Sequence, residues 1–191
     1  MKLLVQKTDR LLGRIHVPAS KSHTIRAVIL ASLAEGRSRL HNPLQSEDTR
    51  AAINACRALV ARIEMKGPDL VVEGFGGNPQ TPDAPLDFLN SGTSTNLLIG
   101  VMAALGVPAE IRGDASLCSR PVQSLVDALS ALGLEVAYLG KHGCPPLRIL
   151  GTIRGGKVEL DASDLDPSLA APVLRRSREV PDQFSMARRR A

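Results

Sequence analysis

Hydroxyl-bearing and cationic side chains cluster in residues 17–36, VPASKSHTIRAVILASLAEG, at the point where an apolar helical pattern begins. Lys21 and Ser22 stand at the start of that pattern, and Arg26 follows about one turn later. The first turn of a helix has unpaired backbone N–H groups and the positive end of the helix dipole, and both favour a bound anion. Lys21 and Arg26 would add full charges. The segment is therefore typical of a phosphate or carboxylate site, although a lone Lys-Ser pair at a helix start is more often only a capped, solvated end.

Two further segments have the same character. In residues 86–100, LDFLNSGTSTNLLIG, Gly92 and Thr93 lie at another hydroxyl-rich helix start, and the missing side chain of Gly92 lets a ligand approach the backbone. In residues 113–125, GDASLCSRPVQSL, the guanidinium of Arg120 can hold a carboxylate or phosphate through two parallel hydrogen bonds. A capping turn and a surface arginine explain these segments equally well in isolation. Together, the three segments predict one shared site for a polyanion.

The elements that would position these residues follow a repeated pattern. Apolar residues at helical spacing predict four helices, around residues 25–33, 52–60, 97–105 and 122–132. We expect Ser46 or Asp48 to cap the second helix, Pro121 to occupy the first position of the fourth, and Gly133 to follow its end. Short strands are predicted at GRIHV, SRLHN, LVVEG, AEIRG, LEVAYL, LRILG and KVEL.

The order helix, strand, Asp-containing loop, helix, strand recurs after about 72 residues. The sequence therefore predicts an α/β fold of repeated blocks, of which two are present and a third begins. We place this domain at residues 1–163. From residue 164 the periodicity is lost and Pro and Arg accumulate, so residues 164–191 are predicted to be a poorly ordered tail.

Composition and sequence patterns argue against several classes of function. The 191 residues have a formal net charge of +5, which suits an anionic partner, but only 2% are aromatic. A nucleic-acid-binding domain remains an alternative, yet base stacking would have few rings to use and no clustered basic stripe is visible. The three cysteines lack metal-ligand spacing, and no apolar run is long enough to span a membrane or act as a signal peptide. We therefore expect a cytoplasmic protein without membrane or nucleic-acid partners.

The three anion-binding segments together resemble the 5-enolpyruvylshikimate-3-phosphate (EPSP) synthase family. ASKSHTIRA resembles the family's Lys-Ser motif with its following Arg, LDFLNSGTS resembles its Asn-(Ala/Ser)-Gly-Thr turn, and GDASLCSRPV resembles its Gly-Asp-x-x-Leu-x-x-Arg-Pro segment. Their order and spacing match over roughly residues 11–162.

This resemblance implies an inverse α/β-prism built of repeated βαβαββ units, incomplete in this chain. It implies an enzyme, a 3-phosphoshikimate 1-carboxyvinyltransferase, that transfers the enolpyruvyl group of phosphoenolpyruvate to the 5-hydroxyl of shikimate 3-phosphate in aromatic amino acid biosynthesis, with no metal or organic cofactor. By the family's pattern Lys21 is catalytic and contacts both substrates. The resemblance also implies that Ser22 and Arg26 bind shikimate 3-phosphate. Gly92 and Arg120 would contact phosphoenolpyruvate. Thr93 would support the turn that contains Gly92.

The chain also departs from the family. Leu89 stands where a Gly is usual and Asn96 where an Arg is usual, so no role is assigned to Asn96. After residue 163 the family continues with a Ser-Ser-Gln segment, a third unit and a second domain that supply the acid and base. We therefore expect a partial N-terminal domain, whether by truncation, frameshift or a split gene. Its activity would need a complementing C-terminal half or a homo-oligomer, and residues 1–17 would lack the partner of a strand that crosses between domains.

Two alternatives within the resemblance stay open. One is a non-catalytic fragment that binds shikimate 3-phosphate weakly or not at all. The other is similarity to the UDP-N-acetylglucosamine enolpyruvyl transferases, which use a loop cysteine in the region of Cys118. Those enzymes usually open with Lys-Asn, whereas this chain has Lys21-Ser22, the shikimate pattern.

Overall fold

The computed structural model describes residues 12–156 together with Leu4, Arg10 and Val158. The helices in this part of the chain are α1 (Lys21–Leu33), α2 (Glu47–Ala58), α3 (Gly92–Leu105) and α4 (Gln123–Ala131). The strands are β1 (Arg37–Leu40), β2 (Arg62–Lys66), β3 (Asp69–Glu73), β4 (Leu86–Asp87), β5 (Ala109–Arg112), β6 (Glu135–Tyr138) and β7 (Leu147–Leu150). A 3₁₀ turn, Leu117–Ser119, precedes α4.

The predicted repeat is present as two sheets with the same topology. In the first sheet β3 lies between β1 and β2, and in the second β7 lies between β5 and β6, with every one of these pairings antiparallel. In both copies, then, the last strand takes the central position. Strand β4 pairs in parallel with β5 and leads the second copy, which therefore reads βαβαββ in full.

Helix α3 is the centre of the packing. Its residues from Leu97 to Ala103 are all buried, and it contacts α1, α2 and α4. A helix that is apolar on all sides is stable only when neighbours surround it. The core is otherwise aliphatic, as the scarcity of aromatic residues predicts, with Phe88 its largest fully buried side chain.

The cysteines in the described part of the chain are free, and Cys56 lies inside the core. Burial raises the pKa of the Cys56 thiol to about 11, and a hydrogen bond with Ser32 only partly opposes that rise. The thiol therefore stays protonated and unreactive in the folded protein. Within the same residues, no three His, Cys, Asp or Glu side chains are grouped as a metal site, and no helix has the length and apolarity to cross a membrane.

Several local predictions were wrong. GRIHV forms no strand: Ile15 and Val17 are 87% and 76% exposed, so strand propensity there finds no neighbour among the described residues. The predicted strands also omitted β2 and β4.

The predicted start of α4 was wrong as well. Pro121 does not open α4, because the Val122 N–H bonds to the Gly143 carbonyl at 2.8 Å and the helix begins only at Gln123. KVEL falls almost entirely, and the tail at 164–191 wholly, outside the described residues.

Two helix-end predictions are confirmed. Ser46 caps α2 through a reciprocal pair of hydrogen bonds with Thr49, so Asp48 is not the cap. Gly133 follows the end of α4 with a φ of +103°, a left-handed conformation that glycine adopts at little cost.

The end of α2 has the same geometry as the end of α4 but places Val60 where α4 has Gly133. The N–H of Val60 bonds to the Arg57 carbonyl at 2.9 Å and that of Ala61 to the Cys56 carbonyl at 3.0 Å, which is the usual pattern for a terminal glycine. Val60 adopts a φ of +83°, and a branched side chain is strained there.

We expect Val60→Gly to raise the free energy of unfolding by about 1 kcal/mol, because the strain is removed. Little packing is lost, since Val60 is 43% exposed. Urea denaturation followed by circular dichroism measures the change, with Val60→Ala as the control that removes the branch but keeps a Cβ. A glycine variant less stable than the alanine variant would contradict the prediction.

Candidate functional site

Side-chain hydrogen bonds connect the starts of α1, α2 and α3. In the first turn of α1, the Thr24 hydroxyl accepts a hydrogen bond from the backbone N–H of Leu44, which lies in the loop before α2. The Ser94 hydroxyl, in the first turn of α3, donates to the backbone carbonyl of Asp48 in the first turn of α2 at 3.4 Å. These three first turns, called here the helix-start cluster, bring three sets of unpaired N–H groups into one region.

Helix α1 contributes Lys21 and Ser22 to this cluster, and Arg26 lies in the next turn. Ser20 caps the helix by accepting a hydrogen bond from the His23 N–H at 3.4 Å, and Lys21 is the first helical residue. Arg26 lies four positions after Ser22 and so shares a helix face with it. Within the described part of the chain the Arg26 side chain has no hydrogen bond or ion pair, so its charge is available to a ligand.

Lys21 forms an ion pair that the sequence did not reveal. Its Nζ lies 2.6 Å from Oδ2 of Asp48, the second residue of α2. From the sequence, Asp48 was expected only as a possible cap of α2. An Asp-containing loop recurs in both copies of the repeat, but that signal does not show which cation the carboxylate meets.

The first turn of α3 lies against Arg120. Ser91 caps this helix by accepting from the Ser94 N–H, and Gly92 is the first helical residue. A Cβ placed on Gly92 would lie 3.4 Å from Nη1 of Arg120, so the guanidinium is adjacent to the backbone at the helix start. Thr93 follows in the same turn and is half-buried.

Arg120 is held in this position by neutral oxygen atoms. Its guanidinium donates to the backbone carbonyl of Asn90 at 3.3 Å, to the Asn90 side-chain oxygen, and to the Ser116 hydroxyl at 3.2 Å. The Asn90 amide donates in turn to Asp114 at 2.9 Å, and the other oxygen of Asp114 accepts from the Leu117 N–H at 2.7 Å. Asn90 and Asp114 thereby orient Arg120, a role that sequence reasoning did not assign.

The two departures from the family pattern both fall in this region. Leu89 has a φ of +51°, a left-handed conformation that explains why glycine is usual there. Its carbonyl accepts from the Asp114 N–H at 2.8 Å, which draws the turn before α3 against Gly113 and Asp114. Asn96 lies one turn after Gly92, and its buried side-chain oxygen has no hydrogen-bond partner among the described residues.

The structure therefore connects Lys21, Ser22, Gly92, Thr93 and Arg120 through the helix-start cluster, and Arg26 lies one turn further along α1. Arg120 reaches the cluster from the residue that follows the 3₁₀ turn, and the first turn of α2 lies beside those of α1 and α3. The arrangement gathers three cations and three helix N-termini, which suits a ligand with more than one negative charge.

Comparisons with known proteins agree on one family. The family described as EPSP synthase (3-phosphoshikimate 1-carboxyvinyltransferase) matches residues 5–165. A 3-phosphoshikimate 1-carboxyvinyltransferase of Acetivibrio thermocellus is 42% identical over 162 residues, which cover 84% of this chain and 38% of the relative. The protein of the same name from Methanothermobacter thermautotrophicus is also 42% identical, with the same two coverages.

Solved structures give the same result. An EPSP synthase from Acinetobacter baumannii superposes with a TM-score of 0.77 at 29% identity, covering 85% of this chain and 37% of that one. This chain spans about 38% of the length of the A. thermocellus and M. thermautotrophicus relatives.

Proposed function

This chain belongs to the EPSP synthase family, and from that membership we propose that it forms the part of a 3-phosphoshikimate 1-carboxyvinyltransferase that binds shikimate 3-phosphate and phosphoenolpyruvate. The inverse α/β-prism architecture implied by the sequence is confirmed by the solved relatives and by the two units of equal topology.

The observation that carries the proposal is the helix-start cluster with its adjoining Arg120. Enolpyruvyl transfer joins the 5-hydroxyl oxygen of shikimate 3-phosphate to the central carbon of phosphoenolpyruvate and releases phosphate. Both substrates are multiply charged anions, so a site has to offset their mutual repulsion before they can meet. Cations and fixed N–H dipoles do this, and they also stabilise negative charge that develops during the reaction.

The roles proposed for individual residues are those that the family's pattern implies for these positions. By the resemblance, Lys21 contacts both substrates; its ammonium lies beside the start of α2, 2.6 Å from Asp48. Ser22 and Arg26 hold shikimate 3-phosphate on the same face of α1. On the other side, the Gly92 backbone and the Arg120 guanidinium face phosphoenolpyruvate, and Thr93 supports that turn.

The chain spans about 38% of the relatives' length, and by the resemblance the acid and base of the reaction belong to the part of the family outside this span. We propose that turnover requires a complementing polypeptide that corresponds to the C-terminal half of the relatives. A binding fragment without catalysis is the competing function. Similarity to the UDP-N-acetylglucosamine enzymes is less favoured, because the matching relatives carry the shikimate name and Cys118 directs its thiol to the Gly113 carbonyl at 3.5 Å.

Complementation tests this proposal. The chain is mixed with a separately produced polypeptide comprising the remainder of the A. thermocellus relative, and phosphate release from the two substrates is measured. We expect negligible release by the chain alone and measurable release by the mixture, which the variant Lys21→Met should fail to support. Rapid release by the chain alone would contradict the need for a partner, and an inactive mixture that still binds shikimate 3-phosphate would favour the binding fragment.

A further inference from the structure

The cations beside the proposed anion site do not all have the same neighbours. Arg26 has no hydrogen bond or ion pair within the described residues, and Arg120 is held there by uncharged oxygens of Asn90 and Ser116. Lys21 differs from both, because its ammonium contacts the carboxylate of Asp48 at 2.6 Å. Of these three cations, Lys21 is thus the one whose charge is balanced by a carboxylate in the described part of the chain.

The position of Asp48 is fixed by the local structure and not by the ion pair alone. The capping box of Ser46 and Thr49 sets the first turn of α2, and Asp48 is the second residue of that turn. Its backbone carbonyl accepts the hydrogen bond of Ser94 from the start of α3. A carboxylate in the first turn of a helix is also stabilised by the helix dipole.

The two partners differ in exposure. The Asp48 side chain is only 20% exposed, whereas that of Lys21 is 50% exposed on a flexible stem. The carboxylate is therefore the fixed partner and the ammonium the movable one. An anion that binds in the helix-start cluster meets a lysine whose favourable contact with Asp48 must be broken or shared.

We propose that Asp48 is an internal competitor for Lys21: its carboxylate competes with the phosphate group of a ligand for the ammonium and so sets the affinity of the site for anions. This inference rests on the proposed function for the assignment of Lys21 to the anion site, and it adds a residue that determines how strongly that site binds. Neutralising Asp48 should then release Lys21 for the ligand and strengthen anion binding.

A first experiment measures the reactivity of the Lys21 amine in the full chain, without any substrate. Limiting acetic anhydride labels the lysines, and mass spectrometry of the peptides gives the labelling rate at each one. Asp48→Asn should raise the rate at Lys21 about threefold, in line with the loss of a half-exposed ion pair. Lys66 is the internal control: its side chain is also 50% exposed, and its contact with Glu64 is longer, at 3.8 Å. Its rate should not change.

A second experiment measures the binding of inorganic phosphate at pH 8 by ³¹P nuclear magnetic resonance. Asp48→Asn should bind phosphate about threefold more tightly than the unmodified chain, and this gain should shrink when Lys21→Met is also present. Glu47→Gln is the matched control, since it removes the same charge from the neighbouring position of α2. Glu47 is 77% exposed and lies 3.4 Å from Arg50, so its replacement should strengthen phosphate binding less than Asp48→Asn does.

Four outcomes overturn the inference: unchanged labelling of Lys21 in Asp48→Asn, equal or weaker phosphate binding by that variant, no measurable phosphate binding by either protein, or an equal gain in Glu47→Gln. Neither experiment uses shikimate 3-phosphate. A failure of the proposed function is seen separately, as equal affinity of the unmodified chain and Lys21→Met for that substrate.

Discussion

Shikimate 3-phosphate is expected to bind at least about tenfold more weakly when Lys21 is replaced by methionine. Methionine keeps an unbranched apolar stem of similar length but removes the ammonium. A hydrogen bond between charged groups contributes about 1.5–3 kcal/mol, so the loss of one such contact with a phosphate corresponds to roughly a tenfold to hundredfold change in the dissociation constant. Isothermal titration calorimetry on both proteins measures the difference.

Lys66→Met is the matched control for this substitution. Lys66 lies at the end of β2, its side chain is as exposed as that of Lys21, and the change in net charge is the same. Its affinity for shikimate 3-phosphate should stay within about twofold of the unmodified chain, because exposed charges at a distance are screened by salt. Equal affinities for the unmodified chain and Lys21→Met would remove the site assignment.

Gly74→Ala is expected to lower the free energy of unfolding by at least about 3 kcal/mol. Gly74 follows β3 and crosses the end of α1, where a Cβ would lie 2.1 Å from the carbonyl oxygen of Ala34 and 2.5 Å from that of Ala31. These are backbone atoms, so they cannot rotate away as a side chain would. The Gly74 N–H also bonds to the Gly36 carbonyl at 3.0 Å, which holds the crossing close.

Gly67→Ala separates this steric effect from the general cost of replacing a glycine. Gly67 lies between β2 and β3 with a φ of +62°, and a Cβ there would have no atom within 4 Å. We expect it to lose only about 1 kcal/mol, from backbone strain alone. Urea denaturation monitored by far-ultraviolet circular dichroism compares the two variants. Equal decreases in the free energy of unfolding would contradict the prediction, because they would show that the backbone near Gly74 can shift to accommodate a Cβ.

The elements that the sequence predicted correctly are those whose signal is local. Each helix has an apolar stripe, and Ser46 and Gly133 mark two of the ends. The strands β3 and β7 lie at the centres of their sheets; β3 stands out as an apolar run, and β7 alternates between buried and exposed residues. Strand β2, RIEMK, was missed because only Ile63 in it is buried, so its charged residues hide the strand pattern.

The candidate site was predicted only as far as short motifs extend. Lys21, Gly92 and Arg120 lie in segments whose resemblance to a family can be read directly. The contacts of Arg120 and Asp114 with Asn90 join positions 30 and 24 residues apart, and the contact between Lys21 and Asp48 joins two different helices. Such contacts depend on how the helices pack together, which no local pattern in the sequence specifies.

The uncharged oxygens that hold Arg120 have a consequence for acidity. Amide and hydroxyl groups do not ionise near neutral pH, and a guanidinium keeps its proton throughout that range. The direction in which Arg120 points is therefore insensitive to mild acidification. A change in ligand affinity between pH 5 and 8 would therefore have to come from groups other than Arg120 and the oxygens that hold it.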